Sequence, residues 1–144
     1  ANHGIWKVPH LIYAHNNEVD DIAHGDIPDI QLKDPDDWQR MSHAMEEVVS
    51  GLHGTARRLL PNLKYPLAGK TGTAQVVGIK QDEEYDSEAL RERLRDHALF
   101  VAFAPVEKPE IAIAVVIENG ESAGRTAGPI AQSVINEYLG GAEG

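Results

Sequence analysis

Between residues 98 and 118 the sequence runs ALFVAFAP, VEKPE and IAIAVVIE, two apolar stretches joined by a short polar connection. Branched and aromatic side chains suit a pleated, half-buried surface, and so short a connection returns the chain alongside itself. The segment therefore predicts an antiparallel hairpin, with Lys108 and Pro109 in its turn. A third β-prone stretch, PLAGKTGTAQVV at 66–77, lies upstream across a polar insertion from Gly78 to Asp96. Three consecutive strands with short or inserted connections favour an antiparallel sheet, and its apolar face needs helices to cover it.

Two helices answer that need. Asp34 is placed to cap the first and Pro35 fits its opening position, followed by Met41, Met45, Val48, Val49 and Leu52 at spacings of three and four. This stripe is expected to face the core, with the methionines as filler. Gly51 and Gly54 loosen its end, and Thr55 opens a short turn through ARRLL that Pro61 stops. The last helix carries Pro129, Ile130, Val134, Ile135, Tyr138 and Leu139 and is expected to stop at Gly140, after a link loosened by Gly120, Gly124 and Gly128. Three weaker elements complete the reading. Residues 5–13 suit an edge strand broken by Pro9, the acidic run 16–37 reads as a solvated loop without a calcium-loop pattern, and DSEALRERLRD suggests a short helix with Leu90 and Leu94 one turn apart. The fold class is α+β.

Composition narrows the function. At 144 residues, 42% hydrophobic and 25% charged, the chain has the profile of one globular domain or part of one. A formal charge of -10 repels a nucleic-acid backbone, so nucleic acid is not an expected partner. Without cysteine there is no disulfide, thiolate metal site or cysteine nucleophile. His3, His10, His15, His24, His43, His53 and His97 make no H-E-x-x-H pair, and no metal or organic cofactor is expected. His97, beside Asp96 at a strand entry, suggests a structural hydrogen-bond donor. No apolar run is long enough to span a membrane. The opening ANHG reads as the frayed end of a helix, so the expectation is a fragment.

The chemistry sits in AGKTGTAQV. A phosphate loop needs glycine five positions before Gly69, where Lys64 stands, and a helix directly after it, where GTAQVV continues as strand. Acyl transfer fits better. A strand at the rim of a cleft can bind a peptide as an added strand, and a glycine such as Gly72 lets the ligand backbone approach closely. On a pleat Thr71 and Thr73 share one face, where two hydroxyls can hold a carboxylate while Lys70 adds positive charge nearby. The backbone N–H of Thr73 is then placed as one arm of an oxyanion hole.

Lys-Thr-Gly resembles the third active-site motif of penicillin-binding transpeptidases and serine β-lactamases, whose set is S-x-x-K, S-x-N and K-T-G. Its surroundings carry the specificity. HGTARRL upstream resembles the Gly-Thr-Ala element of these enzymes, and KTGTAQVVGIK, RLRDHALFVAFAP and IAVVIENG resemble elongation-type class B penicillin-binding proteins, the penicillin-binding protein 2 group. The similarity runs from GIWKVPHL to the last helix.

The resemblance implies the penicillin-binding/serine β-lactamase-like transpeptidase fold, of which residues 1–144 would be the C-terminal portion of a single domain. It implies Lys70 and the Thr73 N–H as catalytic groups, and Thr71, Gly72 and Thr73 as substrate-binding residues. Ser42, Ser50, Ser87, Ser122 and Ser133 are followed three positions on by Met45, His53, Leu90, Arg125 and Asn136, so no S-x-x-K occurs, nor any S-x-N. The nucleophile is therefore expected upstream, in the remaining part of the same domain, and the chain alone is expected to be inactive. The implied whole is a D,D-transpeptidase that crosslinks peptidoglycan stem peptides through a serine acyl-enzyme and is acylated by β-lactams. It would sit on the periplasmic face of the bacterial inner membrane, with a SEDS-type glycosyltransferase and cell-shape proteins as partners. A β-lactam sensor or serine β-lactamase is the alternative.

Overall fold

The structure, a computed structural model, describes residues 1–6, 14–15, 18–19, 28–76 and 92–141. Two short strands, β1 (Ala14–His15) and β2 (Glu18–Val19), pair antiparallel. The main body comprises helix α1 (Asp37–Ser50), a 3-10 helix (Arg57–Asn62), strand β3 (Ala68–Ala74), strands β4 (His97–Ala104) and β5 (Ile111–Ile117), and helix α2 (Ala127–Gly141). Strands β3, β4 and β5 form an antiparallel sheet in that order, as their spacing predicts.

Register explains the core. Ala98, Phe100, Ala102 and Ala104 pair with Ile117, Val115, Ile113 and Ile111, so these eight side chains share one face. Helix α2 packs there through Ala127, Ala131, Ile135 and Leu139, joined by Leu59 from the 3-10 helix and Val49 from α1. Small residues at the contact allow helix and sheet to approach closely. Phe100 is fully buried, and its ring occupies the space above Gly69, where an added Cβ would stand 2.7 Å from the ring. Glycine at 69 is thus a packing requirement.

Several expectations shift. Pro61 lies inside the 3-10 helix, one residue before its end, instead of ending it; in so short an element few hydrogen bonds depend on the N–H that proline lacks. Helix α1 begins three residues after Asp34. The Asp34 carboxylate accepts the N–H of Asp36 at 3.0 Å and so caps the turn before the helix, while its other oxygen accepts from Arg40 at 2.8 Å. Hydrogen bonds to Asp34 and Asp37 raise the Arg40 guanidinium above its ordinary pKa.

The apolar stripe of α1 is only partly inward. Val49 is buried, Met45 and Val48 are half-buried, Met41 is 60% exposed, and Leu52, expected in the stripe, lies past the helix end at Ser50 and is 74% exposed. In α2 the expected stripe divides, with Ile135 and Leu139 inward and Ile130, Val134 and Tyr138 exposed. Gly128 is buried inside α2 rather than in a loose link, and the helix passes Gly140 to include Gly141. Ile5 and Trp6 are not in a strand, while residues 7–13 of the expected edge strand lie outside the described residues, as does most of the insertion. The described end of that insertion, Glu92–Leu94, is a single 3-10 turn.

Candidate functional site

Strand β3 runs from the core to solvent. Ala68 and Gly69 are buried, Lys70 is exposed, Thr71 and Gly72 are half-buried, and Thr73 and Ala74 are exposed. Among the described residues it is one of the two outer strands of the sheet, β5 being the other. Thr71 and Thr73 pair with Phe100 and Ala98 and so share a face, as the pleat predicts. Lys70 and Gly72 pair with Val101 and Leu99 on the other face. The Lys70 ammonium donates to the carbonyl of Thr71 at 2.6 Å, which brings it back to the strand. At Gly72 an added Cβ would lie 3.3 Å from the Leu99 Cβ, so the nearest part of the protein to this glycine is its cross-strand neighbour.

Both ends of β3 are tied to distant segments. Upstream, the Gln132 amide donates to the carbonyl of Leu59 at 2.8 Å, and the Asn136 amide donates to the carbonyl of Asn62 at 3.1 Å while its oxygen accepts the Lys64 N–H at 3.4 Å. Two side chains one turn apart on α2 thereby hold the backbone that leads into the strand. Downstream, the N–H of Val76 donates to the buried Asp96 carboxylate at 3.3 Å. Around Asp96 the β5–α2 turn is knitted to the entry of β4. The Glu121 N–H donates to the Asp96 carbonyl at 2.9 Å, the Asn119 side chain to the Arg95 carbonyl at 2.9 Å, and Arg95 pairs with Glu121 at 3.0 Å. His97 is structural, but as an acceptor: its Nδ1 receives the Asn119 N–H at 2.9 Å, which places any neutral-ring proton on Nε2.

Beside β3 the segment after α1 makes a compact elbow. The Gly54 N–H donates to Gly51 and the Ala56 N–H to Val48, both at 3.0 Å, and Ala56 is fully buried. The Arg57 guanidinium donates to the carbonyls of Ser50 and Gly51 at 3.2 and 3.0 Å, closing the end of α1. Between this elbow and β3 lies an open depression of about 490 Å³ lined by Glu47, Leu52, His53, Thr55 and Lys70 among others. Lys70 is the one lysine or arginine among its described lining residues. Sequence reasoning saw Thr55 as the start of a turn and as part of the Gly-Thr-Ala resemblance, without a partner. Its hydroxyl lies 2.9 Å from that of Thr71, joining the elbow to the Lys-Thr-Gly strand.

An outer strand carrying Lys70, Thr71, Gly72 and Thr73, backed by a hairpin and a closing helix, matches one family. The penicillin binding protein transpeptidase domain model covers residues 1–138, and the chain belongs to this family. The chain is 44% identical over 141 residues to a peptidoglycan D,D-transpeptidase MrdA from Acinetobacter baumannii, an alignment covering 96% of this chain and 20% of that protein. Among solved structures it is similar to Pseudomonas aeruginosa PBP2 in complex with WCK 5153, with a TM-score of 0.78 and 40% identity over 96% of this chain and 26% of that one. Helicobacter pylori PBP2 in complex with MreC follows at a TM-score of 0.60 and 32% identity, over 79% of this chain and 20% of that one. The chain thus spans about a fifth of the length of the curated relatives it matches. The sequence resemblance to the penicillin-binding protein 2 group and the expected transpeptidase fold both hold.

Proposed function

We propose that the chain is the Lys-Thr-Gly portion of a peptidoglycan D,D-transpeptidase, the serine nucleophile belonging to the same domain upstream of Ala1. The observation that carries this reading is β3 itself: an outer strand with two threonine hydroxyls on one face and a lysine beside an open depression, in a chain of the transpeptidase family. The substrate is the D-Ala-D-Ala end of a stem peptide, laid along β3 as an extended strand. Thr71 and Thr73 hold its terminal carboxylate through charge-assisted hydrogen bonds, each contributing about 1.5–3 kcal/mol. Lys70 adds positive charge on a chain whose net charge is -10. As the serine attacks, charge develops on the scissile carbonyl oxygen, and the Thr73 N–H donates to it. D-Ala leaves, and the acyl group passes to an amine of a neighbouring strand.

A β-lactam presents the same carboxylate and a reactive carbonyl, so it acylates the same serine. The MreC complex of the Helicobacter pylori relative supports a cell-shape partner, to which we add a SEDS-type glycosyltransferase as the source of the glycan strands. The working location is the periplasmic face of the inner membrane. Among the described residues no helix is long and apolar enough to cross a membrane.

Intact mass after incubation with a penicillin tests the assignment, on this chain and on the protein with its upstream residues. An adduct only on the longer protein is expected. An adduct on this chain alone would put the nucleophile among its own residues, and none on either would end the acylation reading. Fast deacylation would instead point to a β-lactamase, and slow deacylation without crosslinking to a sensor.

A further inference from the structure

Thr55 and Thr71 meet hydroxyl to hydroxyl at 2.9 Å, and the pairing constrains the direction of both protons. Each hydroxyl has one proton and two lone pairs, whereas an ionised carboxylate can only accept. If Thr71 is to donate to a substrate carboxylate, its single proton is committed outward. The hydrogen bond between the hydroxyls then survives only if Thr55 donates and Thr71 accepts.

The backbone around Thr55 is held on several sides. An added Cβ on Gly54 would fall 2.3 Å from the carbonyl oxygen of Val48, and one on Gly124 would fall 2.9 Å from the carbonyl oxygen of Thr55 itself. The next residue, Ala56, is anchored by its N–H to Val48 and fully buried. The Thr55 hydroxyl is therefore presented to β3 from a fixed support, at the edge of the depression that Lys70 also lines.

We propose that Thr55 is a positioning residue for carboxylate recognition: its hydroxyl donates to Thr71 and thereby aims the Thr71 proton at the ligand. The proposal rests on the reading of Thr71 as a carboxylate-binding group. Donation from Thr55 also polarises the Thr71 hydroxyl, making it a better donor. The ligand class is any acyl donor with a carboxylate near its reactive carbonyl, a stem peptide or a penicillin.

The test uses the protein with its upstream residues and compares acylation by benzylpenicillin with acylation by its methyl ester, which lacks the anionic carboxylate. Thr55→Val keeps the shape and removes the proton; it should slow benzylpenicillin about tenfold and change the ester by less than about twofold. Thr55→Ser should restore the wild-type rate within about twofold. Thr55→Val combined with Thr71→Val should be no slower than Thr71→Val alone, since the two hydroxyls act as one unit. Equal loss on both ligands, failure of Thr55→Ser to rescue, or additive losses would overturn the proposal. Equal loss is also what a disordered site would give, so the ester serves as the control for folding. If Thr71→Val slows benzylpenicillin but Thr55→Val does not, only the role of Thr55 fails. If Thr71→Val itself leaves benzylpenicillin unchanged, the carboxylate reading of Thr71 fails with it.

Discussion

Helix α2 buries Ala127, Gly128, Ala131, Gln132, Ile135 and Leu139, whereas α1, almost as long, buries only Val49. Both read as amphipathic in sequence, so the difference lies in what each meets. Helix α2 lies over the β4–β5 hairpin, and small residues let it sit close. Helix α1 lies by β3, an outer strand, and leaves Met41 outward beside one open depression, while Leu52, two residues past the helix end, lines another. Burial is concentrated on the hairpin side, and the open depressions lie on the other.

Four substitutions probe that division. Phe100→Ala removes the fully buried ring between sheet and helix and should lower stability by about 3–5 kcal/mol in a denaturant titration. A loss below about 1 kcal/mol would mean that the hairpin side is not the stabilising one. Lys70→Ala should slow penicillin acylation of the longer protein by at least about a hundredfold, as removal of an oxyanion-type group does, with the thermal midpoint nearly unchanged. A wild-type acylation rate would take Lys70 out of the site. Gln132→Ala crosses the divide, since it frees the buried carbonyl of Leu59 ahead of β3; it should cost about 1–3 kcal/mol and slow acylation as well. Destabilisation without any change in acylation would show that the clamp serves packing alone. Met41→Ser on the outer stripe of α1 should change the stability of this chain by less than about 0.5 kcal/mol. A larger loss in the longer protein than in this chain would show that other residues cover that stripe there.

Strands and their order were legible because apolar alternation and short connections leave few arrangements; the two hairpin strands sit within one residue of their expected ends. Helix boundaries were less so. The choice of Asp34 as cap was locally sound, but its carboxylate closes a turn one step earlier. Periodicity also marked apolar residues on α2 without telling the inward Ile135 and Leu139 from the outward Ile130, Val134 and Tyr138, because a stripe broad enough to include both has no single direction. The short β1–β2 pairing was missed: Glu18 and Val19 fall in a run read as solvated loop, and two-residue strands carry too little pattern. At the site, the shared face of Thr71 and Thr73 followed from the pleat, whereas the contact of Thr55 with Thr71 joins residues sixteen apart through a turn that sequence does not orient. Asp96 was likewise invisible, since a carboxylate at a strand entry looks like any surface acid until the turn after β5 folds over it.

The clamp of Gln132 and Asn136 on the approach to β3 also bears on the order in which the site is made. These residues lie 73 and 74 positions beyond the carbonyls they hold. As the chain leaves the ribosome, the Lys-Thr-Gly strand emerges well before the helix that fixes its entrance, and such distant contacts close late. A nascent chain arrested after β5 would carry every site residue named on that strand and still lack two of the bonds that hold its approach. Competence to bind a ligand should then arise with the synthesis of α2, not with that of the motif.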